Sequence, residues 1–254
     1  MKLTGRLARI DELTGTERGQ MFALMDAHYH NVARPRFDAD LEEKQWAILV
    51  ESPAGEVLGF STQVLLDVAA AGRPLRALFS GDTIVDRRFW GDRALASTWG
   101  RFALSLIDAH PGGELYWFLI SKGYKTYRFL PLFFAEYYPR LAAPTPGWAQ
   151  LAIDALARDR YADDYDAARG VIVASPGKDF LRHDIAPITA ERLTDAHVRF
   201  FVDSNPGHAR GDELCCLAPL TRENFTPAAY RVIGPTGVAA PAALARRPMA
   251  LSGG

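Results

Sequence analysis

Leu75-Arg-Ala-Leu-Phe-Ser80-Gly-Asp82-Thr-Ile-Val85-Asp-Arg-Arg88-Phe-Trp-Gly91 is the stretch on which the reading of this chain turns. It reads as a strand that runs into a turn and then into the start of a long helix. Alternation puts Ala77, Phe79, Gly81, Thr83 and Val85 on one face, and Leu78, Ser80, Asp82 and Ile84 on the other. A carboxyl and a hydroxyl in the middle of an apolar strand are costly to bury without partners. Ser80 and Asp82 are therefore the first candidates for chemistry.

Upstream, Met21, Leu24, Met25, His28 and Val32 recur at helical spacing, which predicts an amphipathic helix over 17–32. His28 and His30 are two apart, and residues two apart on a helix do not face one another, so no metal site is expected there. Strands are predicted at 45–51, 57–67 and 75–86, with turn signals at Ser52–Glu56 and Ala71–Pro74. Such short turns imply an antiparallel meander.

Downstream, a helix is predicted over 90–109, ended by His110-Pro-Gly-Gly113. Leu115–Ser121 is apolar on both faces, as a strand buried on both sides should be. A strand, a long helix and a second strand imply a right-handed crossover with parallel pairing. A short helix is expected at 131–138, since proline suits the first helical position. After a break at 142–147 come a helix at 148–160, a strand at 170–174 and a helix at 195–203. The expected organisation is a core over 1–140, an extension over 141–233 packing on it, and a disordered Ala-, Pro- and Gly-rich tail over 234–254.

Composition narrows the function. The chain has 254 residues, a net charge of −1 and 48% hydrophobic residues. That balance gives no basis for non-specific nucleic-acid binding. No apolar run is long enough to span a bilayer, and no secretory apolar core follows the first residues. A cytoplasmic protein is the expectation. Cys215 and Cys216 are adjacent, so they form neither a disulfide framework nor a spaced zinc site. No metal is expected.

The order helix, three-strand meander, helix, apolar strand, helix over 17–140 resembles the GNAT (N-acetyltransferase) superfamily. So does Arg88-Phe-Trp-Gly91-Asp-Arg93, set against that family's pyrophosphate loop, Arg/Gln-x-x-Gly-x-Gly/Ala. Arg93 stands where the family has a small residue. The resemblance implies an α/β (α+β) fold with a mixed, mostly antiparallel central sheet flanked by helices, here carrying a C-terminal α/β extension. It further implies an acyltransferase that moves an acyl group from acyl-CoA or an acyl-carrier-protein thioester to an amine or hydroxyl acceptor by direct attack.

Residue by residue, the resemblance implies donor binding at Val85, Arg88, Gly91 and Arg93, where helix-start N–H groups and arginines favour an anion. Asp82, with Ser80, takes the place of the base, and Tyr127 or Tyr138 that of the acid. Lys122, Lys125 and Arg128 are candidates for binding a substrate anion or the acidic helix of a carrier protein. His208, in the polar loop 205–213, is a further substrate-binding candidate. Two alternatives stand beside this reading. One is a GNAT-like scaffold that binds without turnover, favoured by Arg93 and by the lack of the family's usual asparagine. The other is a hydrolase using His208 with Cys215 or Cys216.

Overall fold

The computed structural model describes residues 2–141, 143–185 and 187–235. Strand β1 (Thr4–Arg9) opens the chain and leads into helix α1 (Gly15–His28). A capping box starts α1: Glu17 N–H donates to Thr14 Oγ1 (3.2 Å), and Thr14 N–H donates to Glu17 Oε2 (2.7 Å). The helix ends earlier than its periodicity suggests, because Tyr29 and His30 form β2 (Tyr29–His30), paired later in the chain with Leu181 and Phe180. Helix α2 (Arg34–Glu42) follows, then the meander β3 (Trp46–Glu51), β4 (Val57–Ala70) and β5 (Arg73–Val85). Helix α3 (Ala94–Ala109) crosses over to β6 (Leu115–Ser121), which lies parallel to β5.

Two short helices come next, α4 (Tyr124–Tyr127) and α5 (Phe129–Phe133). The helix expected at 131–138 is not formed. Phe134 and Tyr138 instead make β-bridges to Phe225 and Leu217, so tertiary pairing wins over local pattern. Then follow α6 (Gly147–Tyr161), β7 (Tyr165–Asp166), β8 (Val171–Ile172), β9 (Phe180–Leu181), α7 (Ala196–Ser204), β10 (Glu213–Pro219) and α8 (Pro227–Ile233).

Among the described residues, eight strands form one sheet in the order β1-β3-β4-β5-β6-β10-β8-β7. β5–β6 is its parallel pair, and the other pairings are antiparallel. The segment after residue 140 is thus built into the same sheet: β10 lies against β6 on one side and β8 on the other. The tail expected from Gly234 lies, after Pro235, outside the described residues.

The sheet is covered on both faces. Leu78, Trp117 and Leu119 pack with Trp99 and Phe102 of α3. Phe79, Tyr116 and Phe118 pack on the opposite face with Ile153 and Leu156 of α6. Further along that face, Phe60 and Ile84 pack with Met21 and Met25 of α1 and Phe37 of α2. A strand apolar on both sides, such as β6, is what this two-sided burial requires.

Candidate functional site

β5 does not alternate evenly. Its register against β4 pairs Ser80 with Gln63 and Thr83 with Ser61, so Gly81 and Asp82 together oppose Thr62. This is a β-bulge, and the extra residue exchanges the faces of everything beyond it. Before the bulge, Leu78 and Ser80 face α3; after it, Val85 packs on that side, while Ile84 turns to α1 and α2. Glycine is needed at 81 because a Cβ there would stand 2.6 Å from Thr62 Oγ1 and 3.0 Å from Lys44 Cε.

Ser80 and Asp82 therefore do not work from one face, contrary to the alternation. Ser80 is a buried structural tie. Its Oγ accepts from Trp117 Nε1 (2.9 Å) and Trp99 Nε1 (3.3 Å) and donates to Gln63 Oε1 (2.7 Å). Gln63 Nε2 donates to Ser61 Oγ (2.8 Å), and the Ser61 and Thr83 hydroxyls share a bond of 2.7 Å. Ser80→Ala strands both indole N–H groups and is expected to lower stability by about 2–4 kcal/mol. A urea titration reads that loss.

Asp82 lies in a different place. β5 and β6 hold parallel register from Arg76–Leu115 to Ser80–Leu119, and then part, although β5 continues to Val85 and β6 to Ser121. A cavity of about 610 Å³ opens at this splay. Asp82–Val85 form one wall, Ile120, Lys122 and Gly123 another, and Trp90–Asp92 at the approach to α3 a third. Tyr29, Asp40 and Lys44 close it from β2, α2 and the turn after α2. The gap begins beyond Phe118 and Leu119, which are still paired with Phe79 and Ser80.

The cavity is strongly charged. The Asp82 carboxyl is pushed up to about 7, first by burial and then by the nearby Asp40, with Lys122 pulling the other way. Among the described residues Asp82 has no hydrogen-bond or ion-pair partner, whereas Asp40, Lys44, Lys122, Lys178, Asp179 and Glu213 are each paired. Lys122 pairs with Asp179 and lies 3.7 Å from Glu213. Lys178 pairs with Glu213 at 2.9 Å, and Lys44 with Asp40 at 2.7 Å. Burial works against the Lys122 charge, but Glu213 and Asp179 outweigh it and raise its pKa. The Tyr29 ring lies 5.4 Å from Lys122 Nζ, and burial raises the pKa of its phenol. His28 donates from Nδ1 to the Leu24 carbonyl (2.8 Å), which leaves Nε2 buried without a partner.

The expected donor loop is only partly at this cavity. Gly91, at φ +98°, and Val85 line it. Arg88 and Arg93 do not: Arg88 turns back onto Asp86 at 2.7 Å, and Arg93 serves as the backbone N-cap of α3. Asp92 accepts from Ala94 N–H at 2.7 Å and so occupies one of the free donors of the helix start. Lys125 lines the cavity, its Nζ 3.1 Å from the centre of the Trp90 ring, with its pKa lowered by burial and by Arg192 and Arg87.

Other candidates lie elsewhere. Tyr127 is fully buried, its ring among Tyr137, Phe200 and Phe201 and its hydroxyl donating to Pro139 O at 3.2 Å. Tyr138 packs on the α6 face and donates to Glu136 Oε1 at 2.5 Å. Neither faces the cavity, so both are corrected to structural residues. Arg128 is paired with Asp195 at 3.2 Å, and the His208 ring sits 5.6 Å from Phe201, away from Asp82. Lys122, Lys125 and Arg128 are thus not one basic patch. Cys215 and Cys216 are buried on opposite faces of β10 with burial raising both thiols, which removes the geometric basis for a Cys–His hydrolase. No group of His, Cys, Asp and Glu able to hold a metal occurs among the described residues.

The sequence reading missed Tyr29, Asp40, Lys44, Asp179 and Glu213. The Asp40–Lys44 spacing of i,i+4 was a local signal for one pair. Asp179 and Glu213 reach the site only through β10's place beside β6, which nothing local encodes.

No protein-family model matches the sequence, and no curated protein matches it. Solved structures similar to part of the chain include a conserved protein of Enterococcus faecalis V583 described as a probable N-acyltransferase. It has 16% identity over 50% of this chain and 31% of that one, with a TM-score of 0.38. The GNAT family N-acetyltransferase YhbS of Escherichia coli, solved with CoA, has 17% identity over 51% and 69%, with a TM-score of 0.36. An acetyltransferase of Trypanosoma brucei has 15% identity over 57% and 100%, with a TM-score of 0.36. The likeness is one of element arrangement, over about half of this chain.

Proposed function

We propose that this chain is an acyltransferase that takes an acyl group from a thioester, acyl-CoA or an acyl carrier protein, and passes it to an amine or hydroxyl of a small acceptor. The observation that carries the reading is the splay of β5 from β6 with the unpartnered Asp82 carboxyl on its rim. Past Ser80 and Leu119 the two strand edges no longer pair with each other, which leaves room between them for an extended, amide-bearing arm, with the Val85 carbonyl already taken by Trp90 Nε1 at 2.8 Å. The start of α3, a helix of 16 residues, lies beside the same opening and favours the anionic end of a donor.

Asp82 accepts the proton of the acceptor as its nitrogen or oxygen attacks the thioester carbonyl. The carbon–sulfur bond breaks, the sulfur leaves as thiolate, and the proton held on Asp82 returns to it or to water. A base with a pKa near the working pH is well matched to this task. The acceptor is placed on the α1–α2 side, where Asp82, Tyr29 and the Lys122 ion pairs face the cavity.

A thermal-shift titration with CoA tests the donor. Binding to the folded state alone should stabilise it by about 2.7 kcal/mol at a hundred times Kd. No shift with CoA, together with a shift on adding an acylated carrier protein, would assign the donor to the carrier. No shift with either would leave the scaffold reading, which Asp92 on the α3 N-terminus and Arg88 on Asp86 favour.

A further inference from the structure

A second, smaller cavity of about 30 Å³ lies behind β5, on its α3 side. It shares Thr83, Leu95, Ala96, Thr126 and Phe129 with the large cavity, so the two adjoin along one wall. Ser80 and Leu119, the last paired residues before the strands part, both line it. A group held at the parting of the strands therefore stands at the mouth of both cavities.

The walls of the small cavity are apolar in effect as well as in composition. Its depth is formed by Trp99, Trp117, Phe133, Phe225 and Ile233. Both indole N–H groups are spent on Ser80, which is itself spent on Gln63, while Ser61 and Thr83 satisfy each other. Water in such a cavity finds too few free polar partners, so it is favourably filled only by apolar atoms. Gly100 lets α8 close the far end, because a Cβ at that position would run into the Ile233 side chain.

We propose that this cavity receives the tail of the donor's acyl group, and that the chain selects an acyl chain longer than acetyl. The inference rests on the thioester-transfer reading above and names its donor more closely. Each methylene moved from water into the cavity should tighten binding about fourfold.

The test is calorimetric titration of the full chain with CoA, acetyl-CoA, butanoyl-CoA, hexanoyl-CoA and octanoyl-CoA. The expected result is an affinity that rises about fourfold per methylene beyond acetyl and then levels off. Ile233→Ala, which removes three side-chain carbons from the far wall, should move the plateau to a longer chain and leave CoA itself bound as before. Should that variant not fold, Phe133→Leu enlarges the same space from another wall. Equal affinity for acetyl-, butanoyl- and hexanoyl-CoA, with CoA bound, would overturn the acyl cavity and leave the donor reading standing. No binding of CoA or of any of its thioesters would overturn the CoA-donor reading, and this proposal with it.

Discussion

Asp82→Asn should leave a folded protein whose acyl transfer falls by at least about 100-fold, since general-base assistance is worth about 10²–10⁴ in rate. The loss should sit in kcat/KM with CoA affinity unchanged, because Asp82 is placed on the acceptor. In the parent protein kcat/KM should rise with pH through about 7, where the carboxyl gives up its proton; that limb should be missing from any residual activity of the variant. The same substitution should raise stability. The carboxyl has an ordinary value of 3.8 and is pushed up to about 7 in the fold, so between these values the folded state binds a proton that the unfolded chain does not. Stability therefore falls as pH rises through this window. Asn removes the penalty, so its gain in melting temperature should be larger at pH 8 than at pH 5. A gain equal at both values would show that the carboxyl is not perturbed.

Lys122→Met should be the most damaging single change in the cavity. The ammonium is only 12% exposed and answers two carboxylates, Asp179 and Glu213, that are 18% and 8% exposed. Lys178 still answers Glu213, but Asp179 is left without its ion pair. Removing one partner of a buried ion pair costs about 3–5 kcal/mol, a large share of the ~5–15 kcal/mol that holds a typical domain together. Chemical denaturation should show the loss, and Lys122→Met with Asp179→Asn should recover much of it. A second consequence follows from Lys122 favouring the ionised form of Asp82. In whatever fraction stays folded, the rising limb of the rate profile should move to higher pH. A destabilised protein with an unmoved limb would place Lys122 in the scaffold alone.

Much of the fold was legible because hydrophobic period and turn chemistry agree along most of the chain. Leu115–Ser121 is apolar at every position but its last, and it forms the strand buried on both sides. The meander followed from Ser52–Glu56 and Ala71–Pro74, whose turn formers leave no room for a crossover. What failed was non-local. Local pattern favoured a short helix over 131–138, yet the pairing of Tyr138 with Leu217 pulls this segment against the sheet. Tyr29 continued a helical pattern and was drawn out of it by Leu181.

Within the site, Asp82 could be singled out because a carboxylate in an apolar strand needs a reason. Its face could not be read from alternation. Gly81 was the available clue, since glycine inside a strand often marks a bulge, but one residue does not say which way the chain resumes. Arg88 and Gly91 matched a motif by position and Arg93 departed from it, while the partners that draw Arg88 away, and Asp92's cap on α3, depend on local geometry that the pattern leaves out.

The central claim is a carboxyl poised as a base at the parting of β5 and β6. Its most direct measurement is the titration of Asp82 itself by carboxyl carbon NMR, with Asp82→Asn to assign the signal. The expected midpoint is about 7, with CoA perturbing the resonance. A midpoint at the ordinary aspartate value, together with a resonance that CoA leaves unmoved, would contradict it.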